Sequence, residues 1–155
     1  MGPVICLVTD RRACGDRWRE ELPRRAGAAA RAGVHLIQVR ERDLDARDQV
    51  ALVAECVRAI RGTAARVIVN DRLDVALAAG AHGVHLPSTG VPSIRLRETA
   101  PPDFVIGRSV HAIDEARDAV RQGAVDYLIF GTVFPTASKP AAALAGIEGL
   151  RAACA

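Results

Sequence analysis

Short runs of aliphatic and β-branched residues alternate along the chain with longer stretches in which apolar residues recur at helical spacing. The short runs predict buried strands, and the Ala-, Arg- and Glu-rich stretches between them predict amphipathic helices. The predicted strands cover residues 4–10, 34–40, 66–71, 83–87, 104–110 and 125–133, and the predicted helices cover residues 17–32, 44–61, 72–79, 92–99, 112–122 and 143–154. The pattern therefore predicts six successive strand–helix units.

A glycine follows the last turn of four predicted helices, at Gly33, Gly62, Gly80 and Gly123, where a left-handed C-terminal cap is needed. Strand–helix alternation with nearly all-apolar strands predicts an α/β fold, in which helices cover a parallel sheet. The sequence lacks G-x-G-x-x-G after the first strand and also lacks G-x-x-x-x-G-K-[ST], which are nucleotide-binding motifs of open sheets. The pattern alone leaves two architectures open, a doubly wound sheet and a TIM-type (β/α) barrel.

Polar side chains collect at the carboxyl ends of the predicted strands. They are Asp10, Gln38, Arg40, Asn70, Asp71, His85, Ser109, His111, Thr136 and Lys139. In a parallel barrel these ends form one rim, where barrel enzymes build their active sites. The sequence therefore predicts a functional site at this rim.

Two of these residues, Gln38 and Arg40, share a strand face because they are two positions apart. An unpaired guanidinium inside a barrel is costly, so the pair favours an anionic ligand. Other strand-end residues have a structural alternative. Asp10 is a normal turn residue, and Asn70 or Asp71 could cap the helix predicted to start at residue 72.

The histidines have structural alternatives as well. His111 opens the segment HAIDEA, where an acidic residue in the first helical turn would produce ordinary capping. His85 is more typical of a packed or turn histidine than of a catalytic one. His35 and His82 lie at strand entries, the structural end of such a sheet, and no chemistry is assigned to them.

Composition narrows the possible classes of protein. The 155 residues are 50% hydrophobic but only 3% aromatic, which predicts one domain, residues 1–155, with a mainly aliphatic core. Arginines are mixed with acids along the chain, so the net charge of +3 indicates solvated helix faces and no nucleic-acid partner. Scattered cysteines without C-x-x-C, and no leader or membrane-spanning segment, predict a cytoplasmic protein without membrane association.

Lys139 is the only lysine of the chain, and it lies in the segment IFGTVFPTASKP. The segment begins as an apolar strand and ends in Thr136, Ser138 and Lys139. Arginine supplies the positive charge everywhere else. A lysine at this one position therefore indicates a need for a compact ammonium rather than for any cation.

Five segments carry a resemblance to a known family: LVTD, GVHLIQVRERD, VNDRLDVALAAGAHGVHLP, IGRSVHAIDEA and GAVDYLIFGTVFPTASKP. They cover nearly the whole chain, and they resemble the thiamine-phosphate synthase/TenI family of (β/α)₈ barrels. The resemblance implies a TIM-type barrel and a function in thiamine biosynthesis. In that family the synthase joins hydroxymethylpyrimidine pyrophosphate to thiazole phosphate and releases pyrophosphate.

The resemblance also implies roles for individual residues. Gln38, Arg40 and Arg42 match the family's pyrophosphate ligands, Asn70 and Asp71 match its pyrimidine and magnesium contacts, Ser109 matches another pyrophosphate ligand, and Thr136, Ser138 and Lys139 match the loop that holds both phosphates. Lys139, Arg40 and Ser109 are the expected catalytic residues, because they would stabilise charge on the departing pyrophosphate. Asp71 is the expected ligand of Mg²⁺, which would bridge phosphate oxygens.

The chain departs from the family pattern at three places. Pro87-Ser88-Thr89-Gly90 replaces the usual Gly-Gln-x-Asp, so Asp71 needs the substrate's own phosphates to complete a magnesium site. Arg42 replaces a lysine and keeps its charge, and Thr132 replaces the histidine of the thiazole tautomerases in the family. Four functions stay open: a TenI-like synthase, a thiazole tautomerase, a non-catalytic or regulatory protein that binds the phosphate ligand, and, on fold alone, a phosphate-sugar barrel enzyme of another pathway.

Members of the family continue past the sixth helix with two more strands and their loops. We therefore expect an apparently truncated barrel that lacks the last two βα units. Its first and sixth strands would have open edges, which predicts pairing with another copy or aggregation. The condensation would be lost or slowed, because the loops that hold the thiazole phosphate would be absent.

Overall fold

The computed structural model describes residues 3–136 and 143–154, in two compact units, Met1–His85 and Leu86–Ala155. The elements of the first unit are β1 (Cys6–Val8), a 3₁₀ helix (Arg11–Arg17), α1 (Trp18–Arg31), β2 (Leu36–Val39), α2 (Ala46–Ala59), β3 (Arg66–Asn70), α3 (Leu73–Ala78) and most of β4 (Gly83–Leu86). Those of the second unit are α4 (Ser93–Arg97), β5 (Val105–Val110), α5 (Ile113–Arg121), β6 (Tyr127–Phe130) and α6 (Gly146–Cys154). Every predicted strand and helix is present, and each lies inside its predicted range.

The strands of the first unit form a parallel sheet in chain order, with β1 beside β2, β2 beside β3 and β3 beside β4. Because side chains alternate across a strand, one face carries an apolar set, Ile37, Val39, Val67, Val69 and Val84, of which none is more than 4% exposed. Val53 of α2 lines one cavity together with Val39 and Val69, so α2 lies against this face. The opposite face carries the polar residues Gln38, Asn70 and His85.

In the second unit, β5 and β6 are parallel neighbours, with Gly107 opposite Tyr127. A Cβ atom on Gly107 would stand 2.1 Å from Cζ of Tyr127, so this pairing requires glycine. The core of the unit contains Val110, Ala116 and Ala119, with Val125, Leu128 and Phe130 packed against them. The second unit thus has an apolar core of its own.

Glycine caps end the helices as predicted. Gly33, Gly62, Gly80 and Gly123 all have positive φ angles, between 65° and 95°. After α1, the N–H of Gly33 donates to the carbonyl of Ala30 (3.1 Å), and the N–H of Val34 donates to that of Ala29 (3.0 Å). This pair of bonds is the Schellman motif, which satisfies carbonyls at the helix end and leads the chain into β2.

His35 and His82 hold the backbone at strand entries, in keeping with their expected structural position. Nδ1 of His35 accepts a hydrogen bond from the N–H of Ile5 (3.1 Å), and Nδ1 of His82 accepts one from the N–H of Val67 (3.1 Å). Burial lowers the pKa of His82, and the charge of Arg66 lowers it further. The His82 ring therefore stays neutral near pH 7 and remains an acceptor.

Within residues 3–136 and 143–154, no helix is both long enough and apolar enough to cross a bilayer.

Candidate active site

The carboxyl ends of β2 and β3 bring together two polar side chains. Gln38 is only 3% exposed, and its Nε2 donates a hydrogen bond to Oδ1 of Asn70 (3.1 Å). Helix α3 has Arg72 at its N-cap, with no side-chain hydrogen bond to the helix start. The capping alternative for Asn70 and Asp71 is therefore wrong, and the amide of Asn70 is directed towards Gln38 instead.

Asp71 follows β3 in a left-handed backbone conformation, with φ at 63°. Its N–H donates to the carbonyl of His85 (2.8 Å), which ties this turn to β4. The side chain is exposed, and its carboxylate accepts no hydrogen bond from any residue that the structure describes. Asp71 also lines a cavity of about 140 Å³, together with Glu41, Arg42 and Arg72. It therefore presents, at the end of the sheet, a carboxylate that accepts no hydrogen bond from the described residues, although the charge of the adjacent Arg72 acts on it.

Arg40 and Arg42 follow β2 and carry positive charge that no acid neutralises within residues 3–136 and 143–154. Arginines on the helices usually pair with an acid one turn away, as Arg121 does with Asp118 (2.7 Å). The guanidinium groups of Arg40 and Arg42 instead form no ion pair and no hydrogen bond with a described residue. Two cations thus follow β2 without a partner among the described residues, and Arg42 lines the same cavity as Asn70 and Asp71.

The position of Arg40 corrects one expectation. The sequence pattern placed its guanidinium inside the barrel, on a strand that ends at residue 40. In the structure β2 ends at Val39, and Arg40 is exposed. An unpaired guanidinium loses too much hydration energy in an apolar interior, so it lies where water reaches it.

Three residues of the predicted rim are used by the fold itself. Oδ1 of Asp10 accepts a hydrogen bond from the N–H of Arg12 (3.0 Å) and caps the 3₁₀ helix. Oε2 of Glu115, in the first turn of α5, accepts one from the N–H of His111 (2.8 Å), the residue before the N-cap Ala112, so an acid of the first turn bonds back to the helix start. His85 is 3% exposed, and burial lowers its pKa to about 4. The structural alternatives for these residues are confirmed.

The remaining predicted site residues belong to the second unit. Ser109 is half-buried on β5, opposite Ile129 of β6, and Thr136 is exposed. Ser138 and Lys139 lie outside the described residues. The structure thus brings Gln38 and Asn70 together at the carboxyl ends of β2 and β3, whereas Ser109 and Thr136 belong to the second unit.

A sequence model of the family described as thiamine monophosphate synthase (TMP-TENI) matches residues 5–155. The chain belongs to this family. The match covers all six strands and the segments that follow them.

Individual members of the thiamine monophosphate synthase family are similar over most of the chain. The thiamine-phosphate synthase of Roseiflexus sp. (strain RS-1) is 40% identical over 139 residues, which are 90% of this chain and 57% of the relative. That of Solidesulfovibrio magneticus is 42% identical over 149 residues, 96% of this chain and 69% of the relative. The chain spans about three fifths of the length of several curated relatives that it matches.

A solved structure, thiamine phosphate pyrophosphorylase from Pyrococcus furiosus, is similar with a TM-score of 0.77 and 34% sequence identity. The similarity covers 96% of this chain and 67% of that chain. The predicted α/β fold class of TIM type is therefore confirmed.

Arg108 holds the segment after β4, where this chain departs from the thiamine monophosphate synthase pattern. Its guanidinium donates to three backbone carbonyls, those of Ser88 (2.8 Å), Val91 (3.0 Å) and Gly90 (3.3 Å). A Cβ atom on Gly90 would stand 3.1 Å from both Cδ and the carbonyl oxygen of Pro87. An aspartate, which the family resemblance leads us to expect at this position, would therefore need Pro87 to shift.

The carboxylates near Asp71 determine how a magnesium ion would fit. Glu41 lines the same cavity, but its Oε1 already accepts hydrogen bonds from the Thr9 hydroxyl (2.6 Å) and the Arg11 N–H (3.1 Å). Among the described residues, no group of three or more His, Cys, Asp or Glu side chains could hold a metal ion. Asp71 offers one carboxylate, so Mg²⁺ fits here only if a bound substrate supplies further oxygens.

Sequence analysis missed two residues at these strand ends, Glu41 and Arg108. Glu41 is 7% exposed and lies two positions after the buried Val39, so a charged residue in a buried alternation could have indicated it. Arg108 stands between Gly107 and Ser109 within β5, where a charge in a strand is equally unusual. Both residues bond to backbone or to neighbouring side chains, which the sequence pattern does not show.

Proposed function

We propose that this chain carries the thiamine-phosphate synthase reaction, in which hydroxymethylpyrimidine pyrophosphate condenses with thiazole phosphate and pyrophosphate is released. One observation carries the proposal. Arg40 and Arg42 follow β2 and are unpaired within the described residues, and Arg42 lines the same cavity as Asn70, which Gln38 bonds, and as the carboxylate of Asp71. Two cations close to a carboxylate are suited to binding a pyrophosphate together with its metal ion.

The two arginines would bind the pyrophosphate of the pyrimidine substrate and stabilise its departure. In the reaction, the bond between the pyrimidine methylene carbon and the pyrophosphate oxygen breaks, and its electron pair stays on the pyrophosphate. Negative charge therefore grows on the leaving group, next to Arg40 and Arg42. Cations that are already in place stabilise this charge more in the transition state than in the ground state.

Gln38 and Asn70 would orient the pyrimidine. Their mutual hydrogen bond (3.1 Å) orients both amide groups, so their remaining polar atoms point in defined directions. A heteroaromatic ring with an amino group needs such directional partners. Ordering them before the substrate binds lowers the entropic cost of binding.

We assign four further residues to binding the phosphates of the substrates. Ser109 and Thr136 of the second unit, with Ser138 and Lys139, would donate to phosphate oxygens through hydroxyl and ammonium groups. Lys139 would act as a compact charge on the departing pyrophosphate. These roles rest on the family pattern, as do the two small-molecule substrates, and self-association and a cytoplasmic location stay predictions from the sequence.

Magnesium would be held by Asp71 and by oxygens of the substrate's own phosphates. When bound, it would neutralise charge on the pyrophosphate. The role of this chain would be to supply the carboxylate, while Glu41 remains engaged with Thr9 and Arg11.

A second candidate function is binding of the phosphate ligand without turnover. The crowded turn at Gly90 favours it, because the second carboxylate of the family's magnesium site has little room there. The tautomerase alternative is less favoured, since the threonine hydroxyl of Thr132 is a poor acid or base. Turnover and binding therefore have to be measured separately.

The test replaces the two arginines. We expect Arg40→Ala and Arg42→Ala each to weaken inorganic pyrophosphate binding about tenfold, since a hydrogen bond to a charged group contributes about 1.5–3 kcal/mol. Formation of thiamine phosphate by the same variants should fall at least as far. Calorimetry and a product assay measure the two effects.

The matched control is Arg61→Ala. Arg61 is also exposed and has no ion pair with a described residue, but it follows α2, at the opposite end of the strands. It should leave binding and turnover unchanged. Normal pyrophosphate binding by both rim variants would contradict the proposal, and binding without any product would establish the second candidate.

A further inference from the structure

Glu41 lies between the two free arginines, but its carboxylate is bonded elsewhere. It is 7% exposed, and Oε1 accepts hydrogen bonds from the hydroxyl of Thr9 (2.6 Å) and from the N–H of Arg11 (3.1 Å). Both donors belong to the segment that follows β1. The negative charge of Glu41 is thus used to join two neighbouring strand ends, and it does not neutralise Arg40 or Arg42.

Burial explains why Glu41 makes these bonds. A buried carboxylate is costly unless it is hydrogen-bonded or paired with a cation. Two short hydrogen bonds and the guanidinium of Arg11, with Nε 3.9 Å from Oε2, meet that requirement. Arg11 is also bound to the exposed Asp43, so it stands between both acids.

Thr9 connects this carboxylate to the backbone of Arg40. Its Oγ1 donates to Glu41 and at the same time accepts a hydrogen bond from the N–H of Arg40 (3.0 Å). The hydroxyl of Thr9 thereby joins the side chain of Glu41 to the main chain of Arg40. Any shift of Glu41 would move the residue that carries the free guanidinium.

Gln49 of α2 holds the same loop from the other side. Its Nε2 donates to the carbonyl oxygens of Glu41 (3.2 Å) and Leu44 (2.8 Å), and the side chain is buried. The backbone from residue 40 to residue 44 is thus tied both to the segment after β1 and to α2. Within the described residues, the guanidinium groups of Arg40 and Arg42 themselves form no hydrogen bond and no ion pair.

From these contacts we propose that Glu41 and Thr9 are positioning residues, which hold Arg40 and Arg42 in place for an anionic ligand. They touch no ligand and act through the backbone of the loop. Because the loop is ordered beforehand, binding costs less conformational entropy. This inference rests on the proposed function, since it assumes that the two arginines bind pyrophosphate.

The first test separates positioning from charge. A charge effect of Glu41 would oppose anion binding, so both Glu41→Ala and Glu41→Gln would then increase the affinity for pyrophosphate. Positioning predicts a different result, because a glutamine oxygen still accepts from Thr9 and Arg11 whereas alanine does not. We expect Glu41→Gln to stay within about twofold of the unaltered protein and Glu41→Ala to bind about tenfold more weakly, measured by calorimetry with inorganic pyrophosphate.

A second pair of variants tests the hydroxyl. Thr9→Val removes it and keeps the shape of the side chain, whereas Thr9→Ser keeps it. Valine should weaken pyrophosphate binding about fivefold, and serine should leave it unchanged. If Glu41→Ala fails to fold, the Thr9 pair and Glu41→Gln decide the question by themselves.

A double variant shows whether the effect passes through the arginines. In an Arg40→Ala background, Glu41→Ala should cost clearly less affinity than it does alone, because the residue that it positions is gone. An equal loss in both backgrounds would overturn the positioning role. Unchanged affinity in both Glu41→Ala and Thr9→Val would also overturn it. The same holds if Glu41→Gln and Glu41→Ala gained affinity equally, because that result would indicate a charge effect.

The control for this series is Asp43→Asn. Asp43 is an exposed acid of the same loop and a partner of the same Arg11, but its carboxylate forms no hydrogen bond with Glu41 or Thr9. It should not weaken binding. If Arg40→Ala and Arg42→Ala themselves bind normally, the proposed function fails, whereas a failure confined to the Glu41 and Thr9 variants leaves that function standing.

Discussion

At the scale of single residues, the arginines fall into two groups, those that form an ion pair and those that do not. The groups differ in their surroundings and not in residue type. On the helices an acid one turn away takes up the charge, as Glu148 does for Arg151 (2.6 Å), and such exposed pairs contribute at most about 1 kcal/mol. Arg40 and Arg42 also have an acid next to them in the sequence. Since the carboxylate of Glu41 is bonded to Thr9, their charge remains available to a ligand.

Asp71 supports a prediction about magnesium. A single carboxylate binds Mg²⁺ poorly, so the ligand-free protein should bind it weakly. Pyrophosphate should tighten magnesium binding at least about tenfold, because its oxygens complete the coordination shell. Asp71→Asn should remove this enhancement. Calorimetric titration of magnesium, with and without pyrophosphate, measures both effects.

Asp74→Asn is the matched control for Asp71. Asp74 is also exposed and lies three positions away, but the guanidinium of Arg72 occupies its carboxylate (2.6 Å) and holds its pKa at about 2. The enhancement by pyrophosphate should survive in this variant. Tight magnesium binding by the ligand-free protein would mean that the coordination shell contains another carboxylate.

At the scale of elements, one side chain of β5 shapes the connection between β4 and α4. Arg108 donates to three carbonyls of that connection, and its Nη1 also lies 3.4 Å from Oγ of Ser93, the first residue of α4. Backbone carbonyls in a loop need donors when strands and helices do not supply them. A fork of five N–H groups in a fixed plane can reach several carbonyls at once, whereas an ammonium offers only three donors, all from one atom.

Replacing this arginine should loosen the connection. Arg108→Met keeps much of the side-chain volume but removes every donor, so amide hydrogen exchange of residues 88–93 should become about tenfold faster. Arg108→Lys should give an intermediate rate, because one ammonium replaces the fork. Mass spectrometry of the exchanged peptides measures the difference.

Arg95→Met provides the comparison. Arg95 lies on α4, close to the same segment, but its partner is the exposed Glu98 of that helix. Exchange in residues 88–93 should stay at the original rate. Equal protection in Arg108→Met would show that the carbonyl bonds are not what holds the segment.

At the scale of the whole molecule, buried histidines link stability to pH. His85 is neutral in the fold, since burial lowers its pKa to about 4, whereas an exposed histidine in the unfolded chain has a pKa near 6.5. Between these two values the unfolded chain binds the proton and the folded chain does not. The free energy of unfolding therefore rises with pH across this window, and the stability is lost as pH falls from about 6.5 to about 4.

The expected size of the His85 contribution is about 3 kcal/mol at most, from the difference between the two pKa values. Urea unfolding between pH 4 and pH 7 should show this loss in the unaltered protein. In His85→Gln the loss should be smaller by about that amount, while the share due to His82 remains. Identical pH dependence in both proteins would show that His85 is not held neutral by burial.

Much of the fold could be predicted from local pattern. Each strand and α-helix lies inside its predicted range, because alternation and helical spacing depend on neighbours a few positions away, but the 3₁₀ helix Arg11–Arg17 was not predicted. The left-handed glycines after the helices followed from the same local logic. Element ends were less certain: β2 ends at Val39 and not at Arg40, since the turn that follows depends on bonds to distant residues.

The sequence by itself determined the strand–helix order, the caps and the residue types at the strand ends, because these depend on short-range pattern and on family motifs. Only the tertiary structure decided which of the described strand-end side chains are hydrogen-bonded to other residues and which are not. Thr9 and Glu41 are 32 positions apart, as are Gln38 and Asn70, and both bonds exist only because neighbouring strands lie in register. Register places one acid against a hydroxyl and leaves the two arginines next to it in sequence without a partner among the described residues, which no local pattern specifies.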